Sequence, residues 1–163
     1  MTILKKNTSI LIIFFISIFF FQFNYVYAAG SGADQSKEGL YKSGKKLVLR
    51  AKKLEKKNKI EKAAKLYLKA YDKFEKAYVK DKKNADILNY LGYTLRKTGN
   101  LEKAEIYYLE GLRLDASHLG INEYLGELYV QTGRIEMAKE RLGVLEGCNC
   151  EEYQELKDII EKK

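Results

Sequence analysis

The chain is 163 residues long, carries a formal net charge of +8, and contains neither proline nor tryptophan. That length holds one domain and no more. One histidine and two cysteines supply no zinc pattern, and no glycine-rich phosphate loop or serine-nucleophile elbow occurs, so the composition argues against an enzyme and implies no cofactor.

In chain order, the first segment stands apart. Lys5 and Lys6 precede an apolar run from Ile10 to Phe21, and small residues follow in Val26-Tyr-Ala-Ala29. Charge, grease and small residues in that order predict a secretory signal peptide over 1–28, cut between Ala28 and Ala29. The competing expectation is an uncleaved anchor. A spanning helix needs about 20 apolar residues, and Gln22 and Asn24 interrupt this run. Residues 29–40 are predicted to be a flexible leader, rich in small and polar residues.

From there to the end, Lys, Glu, Leu, Ala and Tyr dominate and strand-like alternation is absent, so the expected class is all-α. A first helix is expected from Tyr41 to Lys57, buried through Leu47, Ala51 and Leu54. A longer second helix is expected from Ile60 to Lys80, because Ala63, Tyr67, Ala70, Phe74 and Ala77 form one stripe at spacings of four and three. Next, Asn89-Tyr-Leu-Gly-Tyr-Thr-Leu-Arg-Lys-Thr-Gly99 recurs as Glu123-Tyr-Leu-Gly-Glu-Leu-Tyr-Val-Gln-Thr-Gly133. Leu91 to Leu125, Gly92 to Gly126, Gly99 to Gly133 and Ala104 to Ala138 share one offset of 34 residues. Asn58-Lys-Ile-Glu-Lys-Ala63 reads like Gly99-Asn-Leu-Glu-Lys-Ala104, at an offset of 41. The excess of seven is two helical turns and leaves the buried face in phase. Tyr153, Leu156, Ile159 and Ile160 form the apolar face of a closing helix whose other side is polar.

These motifs resemble the tetratricopeptide repeat family, whose 34-residue unit is a pair of antiparallel helices. Leu91-Gly92, Gly99, Ala104 and Tyr108 match its pattern. Leu125-Gly126, Tyr129, Gly133 and Ala138 match it again, with Leu142 in place of the aromatic and Ala116 and Cys150 where proline is common. The resemblance implies an α-solenoid of about three hairpins plus a capping helix over 41–163. Gly92 and Gly126 are expected to admit a close partner helix, with Ala104 and Ala138 as its small surface. Gly99 and Gly133 are expected to end the first helix of each unit.

Two features outside the repeat could carry chemistry. His118 is expected to be a solvated residue at a junction between units. Cys148-Asn149-Cys150 could form a strained and reducible disulfide, bind Cu(I) as thiolates, or simply pack the last turn.

Charge is uneven. Residues 37–83 hold 18 Lys/Arg against 6 Asp/Glu, a net of +12, whereas residues 84–163 hold 10 against 15, a net of −5. A basic first hairpin could be attracted to an anionic membrane or cell-wall surface. The export signal argues against nucleic acid.

The resemblance also implies a concave face lined by the first helix of each hairpin. Transferred onto this chain, that face is Asn89, Tyr90, Tyr93, Arg96 and Lys97, then Glu123, Tyr124 and Glu127. Tyrosines with amide and charged neighbours suit peptide contacts. Glu123 and Glu127 do not match the basic carboxylate clamp of some family members, so a basic or mixed partner is expected. The reading at this level is a non-catalytic periplasmic scaffold for a protein or peptide. Its alternatives are a basic membrane- or wall-associated structural protein, or a thiol or copper handler using Cys148 and Cys150.

Overall fold

A computed structural model of the chain describes residues 36–162. The expected signal segment, its cleavage point and the leader up to residue 35 lie outside the described residues. Those described form α1 (Lys37–Glu55), α2 (Ile60–Lys80), α3 (Ala85–Lys97), α4 (Leu101–Leu114), α5 (Leu119–Gln131), α6 (Ile135–Leu145) and α7 (Glu151–Glu161). No strand occurs among them. None of these helices is long and apolar enough to cross a membrane.

Each boundary has a local cause. Ser36 starts α1, its Oγ accepting from the Gly39 amide at 3.0 Å. Asn84 and Asn100 cap α3 and α4 through the amides of Ile87 at 3.1 Å and Lys103 at 3.2 Å. The turn after α3 requires a left-handed residue, and Gly99 supplies it at φ 90°. Asn58 takes the same place after α1 at φ 55°, as asparagine can at modest cost. That match between Asn58 and Gly99 is the one read from the sequence.

Helix α1 packs on α2, α3 on α4 and α5 on α6, and each hairpin packs on the next; α7 closes the stack against α5 and α6. The all-α solenoid of three hairpins and a capping helix is therefore observed. Helix α2 spans the residues expected of it, with Ala63, Tyr67, Ala70, Phe74 and Ala77 all buried. Helix α1 begins four residues earlier than expected because Ser36 caps it and Leu40 is buried. Residues 37–40 thus belong to the fold rather than to a leader. Its buried face is Leu40, Gly44, Val48 and Ala51, while Leu47 and Leu54 flank that face partly buried.

The helical glycines do admit close neighbours, although the partners differ from expectation. A Cβ on Gly92 would lie 2.5 Å from the Tyr108 ring, so the guest is the aromatic one turn beyond Ala104. A Cβ on Gly126 would lie 2.5 Å from Leu156 of α7 rather than against Ala138. In the first hairpin Phe74 occupies the notch at Gly44. Small residues admit large ones here, and Ala104 and Ala138 are simply buried core.

Charged and hydroxyl groups then join unit to unit. Glu55 takes the Lys97 ammonium at 2.8 Å and the Tyr67 hydroxyl at 2.8 Å, tying α1 and α2 to α3. Arg134 donates two parallel bonds to Glu105, each 2.8 Å, tying α4 to the start of α6.

Candidate functional site

Residues one turn apart on a helix share a face, and on α3 this places Asn89, Tyr93 and Arg96 in line, with Tyr90 and Lys97 beside them. The corresponding turns of α1 and α5 lie alongside. The result is an aromatic band crossing α1, α3 and α5. Tyr41 and Tyr90 meet edge to face at 5.7 Å, Tyr90 stacks on Phe74 at 4.8 Å, and Tyr93 meets Tyr124 at 4.7 Å. Cations rest on the rings: Lys45 lies 5.3 Å from the Tyr41 centroid, Lys52 5.0 Å from Tyr93, and Arg96 5.7 Å from both Tyr93 and Tyr124.

All eight residues expected on the binding face fall on this band, yet they divide in role. Tyr93 is buried between Tyr67 and Tyr124. Arg96 is engaged by Glu127 at 2.8 Å, with both side chains largely out of solvent. Lys97 is engaged by Glu55. These four, Tyr93, Arg96, Lys97 and Glu127, hold the helices in register. The other four, Asn89, Tyr90, Glu123 and Tyr124, line an open groove of about 430 Å³ between the α1, α3 and α5 faces.

Tyr41, Lys45 and Glu152 also line that groove and escaped the sequence reading. The signal for Tyr41 was Gly44, one turn on, which repeats the notch-and-ring device of Gly92 in a unit lacking the Leu-Gly pair. Glu152 arrives from α7, and nothing local marks it.

Two polar groups in the groove wall are unusual. Glu123 is 3% exposed and Asn89 is 6% exposed, and neither Glu123 Oε1 nor Asn89 Oδ1 has a hydrogen-bond partner. Burial, then a hydrogen bond to Glu155 and the charges of Glu127, Glu155 and Glu152, push the Glu123 carboxyl up to about 9. The hydroxyls of Tyr90, Tyr93 and Tyr124 are likewise raised, chiefly by burial.

His118 is not the solvated loop residue expected. Its Nδ1 accepts from the Ile121 amide at 3.2 Å, capping α5, and its Nε2 lies 3.4 Å from Asp86 Oδ1 on α3. Cys148 and Cys150 are bonded to each other across Asn149, in the turn between α6 and α7. No free cysteine is present among the described residues, so Cu(I) binding there would require reduction first. Among the same residues no cluster of three or more His, Cys, Asp or Glu is placed to hold a metal ion.

A family model described as tetratricopeptide repeat matches residues 73–106, the end of α2 through the start of α4. No curated protein matches the chain. Among solved structures, the chain is similar to the type III secretion translocator chaperone SycD of Yersinia enterocolitica, at 19% identity and a TM-score of 0.52, covering 78% of this chain and 84% of that one. It is also similar to the second TPR domain of human RPAP3, solved in complex with an HSP70 peptide, at 21% identity and a TM-score of 0.51, covering 78% of this chain and 100% of that one. At such identities the likeness concerns fold, and it agrees with the helix pairs, the repeated 34-residue interval and the matched unit. Residues 73–106 thus match a tetratricopeptide repeat, and the described helices have the fold of such repeat domains.

Proposed function

We propose that this protein is a non-catalytic scaffold that binds a peptide or protein segment across α1, α3 and α5. The observation carrying this is the groove in which Tyr41, Tyr90 and Tyr124 are only partly buried while their supports, Phe74, Tyr93 and Arg96, are fixed behind them. Rings already held by packing lose little entropy on contact with a guest. The RPAP3 domain, of the same fold, holds a peptide. Selecting binders from random displayed peptides tests the proposal: Tyr90→Ala with Tyr124→Ala should weaken selected peptides at least about tenfold. Unchanged affinity in a folded double variant refutes the groove as the binding face.

We place its work outside the cytoplasm, in a periplasm, on the order of Lys5, Lys6, the apolar run and the small residues before Ala29. The Cys148–Cys150 bridge is compatible with an oxidising compartment. Mass measurement of the protein from its cell is decisive, since a chain still beginning at Met1 contradicts cleavage.

A second reading has its own observation. The basic segment is the first hairpin, and its lysines share the outer surface with exposed Leu49, Leu68 and Val79. Such a mixed surface suits anionic headgroups. Flotation with vesicles of graded anionic lipid tests it, and binding indifferent to both lipid charge and salt counts against it.

A further inference from the structure

We propose that the groove recognises a lysine side chain of its partner, the ammonium group seated between Glu123 Oε1 and Asn89 Oδ1 and the methylene stem lying on Tyr41, Tyr90 and Tyr124. This rests on the groove being the binding face, and it specifies what that face reads.

Glu123 Oε1 and Asn89 Oδ1 are two orphaned acceptors in the groove wall. Each is almost wholly withdrawn from solvent and each lacks a donor. Buried acceptors without donors are rare, since leaving one unmade costs most of the desolvation of the group. Both line one cavity, and that cavity opens to the surface. A guest that brings N–H groups to this point satisfies both.

The chemistry of the surroundings selects the kind of donor. Glu152 adds a carboxylate to the lining beside Asp86, which faces His118, and Asp115, which accepts from Ser117, and Glu127 and Glu155 stand near enough to act on Glu123. A cation is therefore favoured over a neutral amide. Glu127 is occupied by Arg96. Of the chain's own cations at the groove, Lys45 sits over the Tyr41 and Tyr90 rings, 5.3 and 5.9 Å from their centroids, and Lys52 over Tyr93 and Tyr124 at 5.0 and 5.8 Å. Both lie over the π-faces, while His118 caps α5 and faces Asp86. No cluster suited to a metal ion forms among the described residues.

Shape then separates a lysine from other amines. Glu123 is nearly buried and shares its groove with Tyr41, Tyr90 and Tyr124, so a cation carried on a long, thin, apolar stem suits it best. A lysine side chain has that form, with methylenes that lie on aromatic faces and an ammonium tip. A chain-terminal amine is attached directly to backbone and lacks such a stem.

Seating an ammonium has a thermodynamic signature. The free protein holds Glu123 protonated at neutral pH, its carboxyl having been pushed up to about 9. A lysine ammonium, near 10.4 unperturbed, keeps its own proton beside the carboxylate. Binding therefore expels the Glu123 proton to solvent. Affinity should rise as pH increases from about 6 to about 8, by up to about tenfold per pH unit.

The test uses the full chain and lysine-bearing peptides selected from a random displayed library. Acetylating the critical lysine should weaken binding about tenfold or more, whereas acetylating the peptide's amino terminus should not. Glu123→Gln keeps an acceptor of the same shape but cannot carry charge. It should weaken the same peptides about tenfold and abolish the proton release seen by titration calorimetry in buffers of differing ionisation heat. Its melting temperature at pH about 8 checks that the fold persists.

Peptides that need Tyr90 and Tyr124 but ignore both lysine acetylation and Glu123→Gln would overturn this proposal while leaving the groove reading intact. Sensitivity to the amino-terminal amine alone would overturn it too. Failure to select any groove-dependent peptide would remove both readings together.

Discussion

At the level of single residues, the most consequential group is Glu123. A carboxyl raised from about 4.3 in the unfolded chain to about 9 in the fold binds a proton in the native state that the unfolded state has released. Its stabilising contribution is complete below the unfolded value and is lost as pH climbs toward 9. The melting temperature should therefore fall between about pH 5 and about pH 8.5, and Glu123→Gln should flatten that slope. An identical slope in the variant would show that other groups govern it. The same residue illustrates what sequence can say about a site. Glu123 was legible as a member of the first-helix face, but the upward push on its carboxyl depends in part on α7 bringing Glu152 and Glu155 beside it.

Gly92 makes a second residue-scale case. Its added side chain would have to displace the Tyr108 ring, which is fully buried. Gly92→Leu should cost at least about 1–3 kcal/mol in chemical denaturation, the ordinary penalty of overpacking a core. Stability equal to the parent's would show that the ring can move aside freely. The need for a small residue was visible in the sequence because glycine inside a helix costs about 1 kcal/mol relative to alanine. The identity of the guest was not, since one turn of error on the partner helix separates Ala104 from Tyr108.

Among elements, α7 carries more than a cap. Leu156 enters the Gly126 notch and is completely buried, so the closing helix does for α5 what Tyr108 does for α3. Leu156→Ala should cost about 2–5 kcal/mol. Amide exchange should rise first in α5 to α7, because each unit of a stacked array leans chiefly on its neighbours. Uniform loosening across all seven helices would contradict that local coupling. The first hairpin shows the opposite case, an element almost wholly readable from its stripe. Its helices run 19 and 21 residues, against 13 and 14 in the second hairpin. The excess of seven in α2 is close to two turns, and Phe74 still finds Gly44.

On the scale of the whole molecule, ion pairs tie one unit to the next. Arg96 and Glu127 join α3 to α5 at 2.8 Å with little exposure of either side chain. Arg96→Ala strands a carboxylate in that setting and should cost about 3–5 kcal/mol. Arg96→Ala combined with Glu127→Ala should recover part of the loss in a double-mutant cycle. Simple additivity of the two single losses would argue against direct coupling. Charge asymmetry also acts at this scale, with +12 on residues 37–83 and −5 beyond them, so the first hairpin is basic while the units after it are acidic.

The sequence by itself determined the helical class, the 34-residue interval, the turns at Asn58 and Gly99, and the band of first-helix residues, because these follow from short-range periodicity and from backbone angles that few residues accept. Only the tertiary structure decided which members of that band are structural and which remain open to a guest. Burial and charge pairing depend on residues far away in the chain: Glu55 takes Lys97, Glu127 takes Arg96, and α7 surrounds Glu123 with carboxylates. Periodicity along one helix cannot report which side chains from another helix will satisfy it.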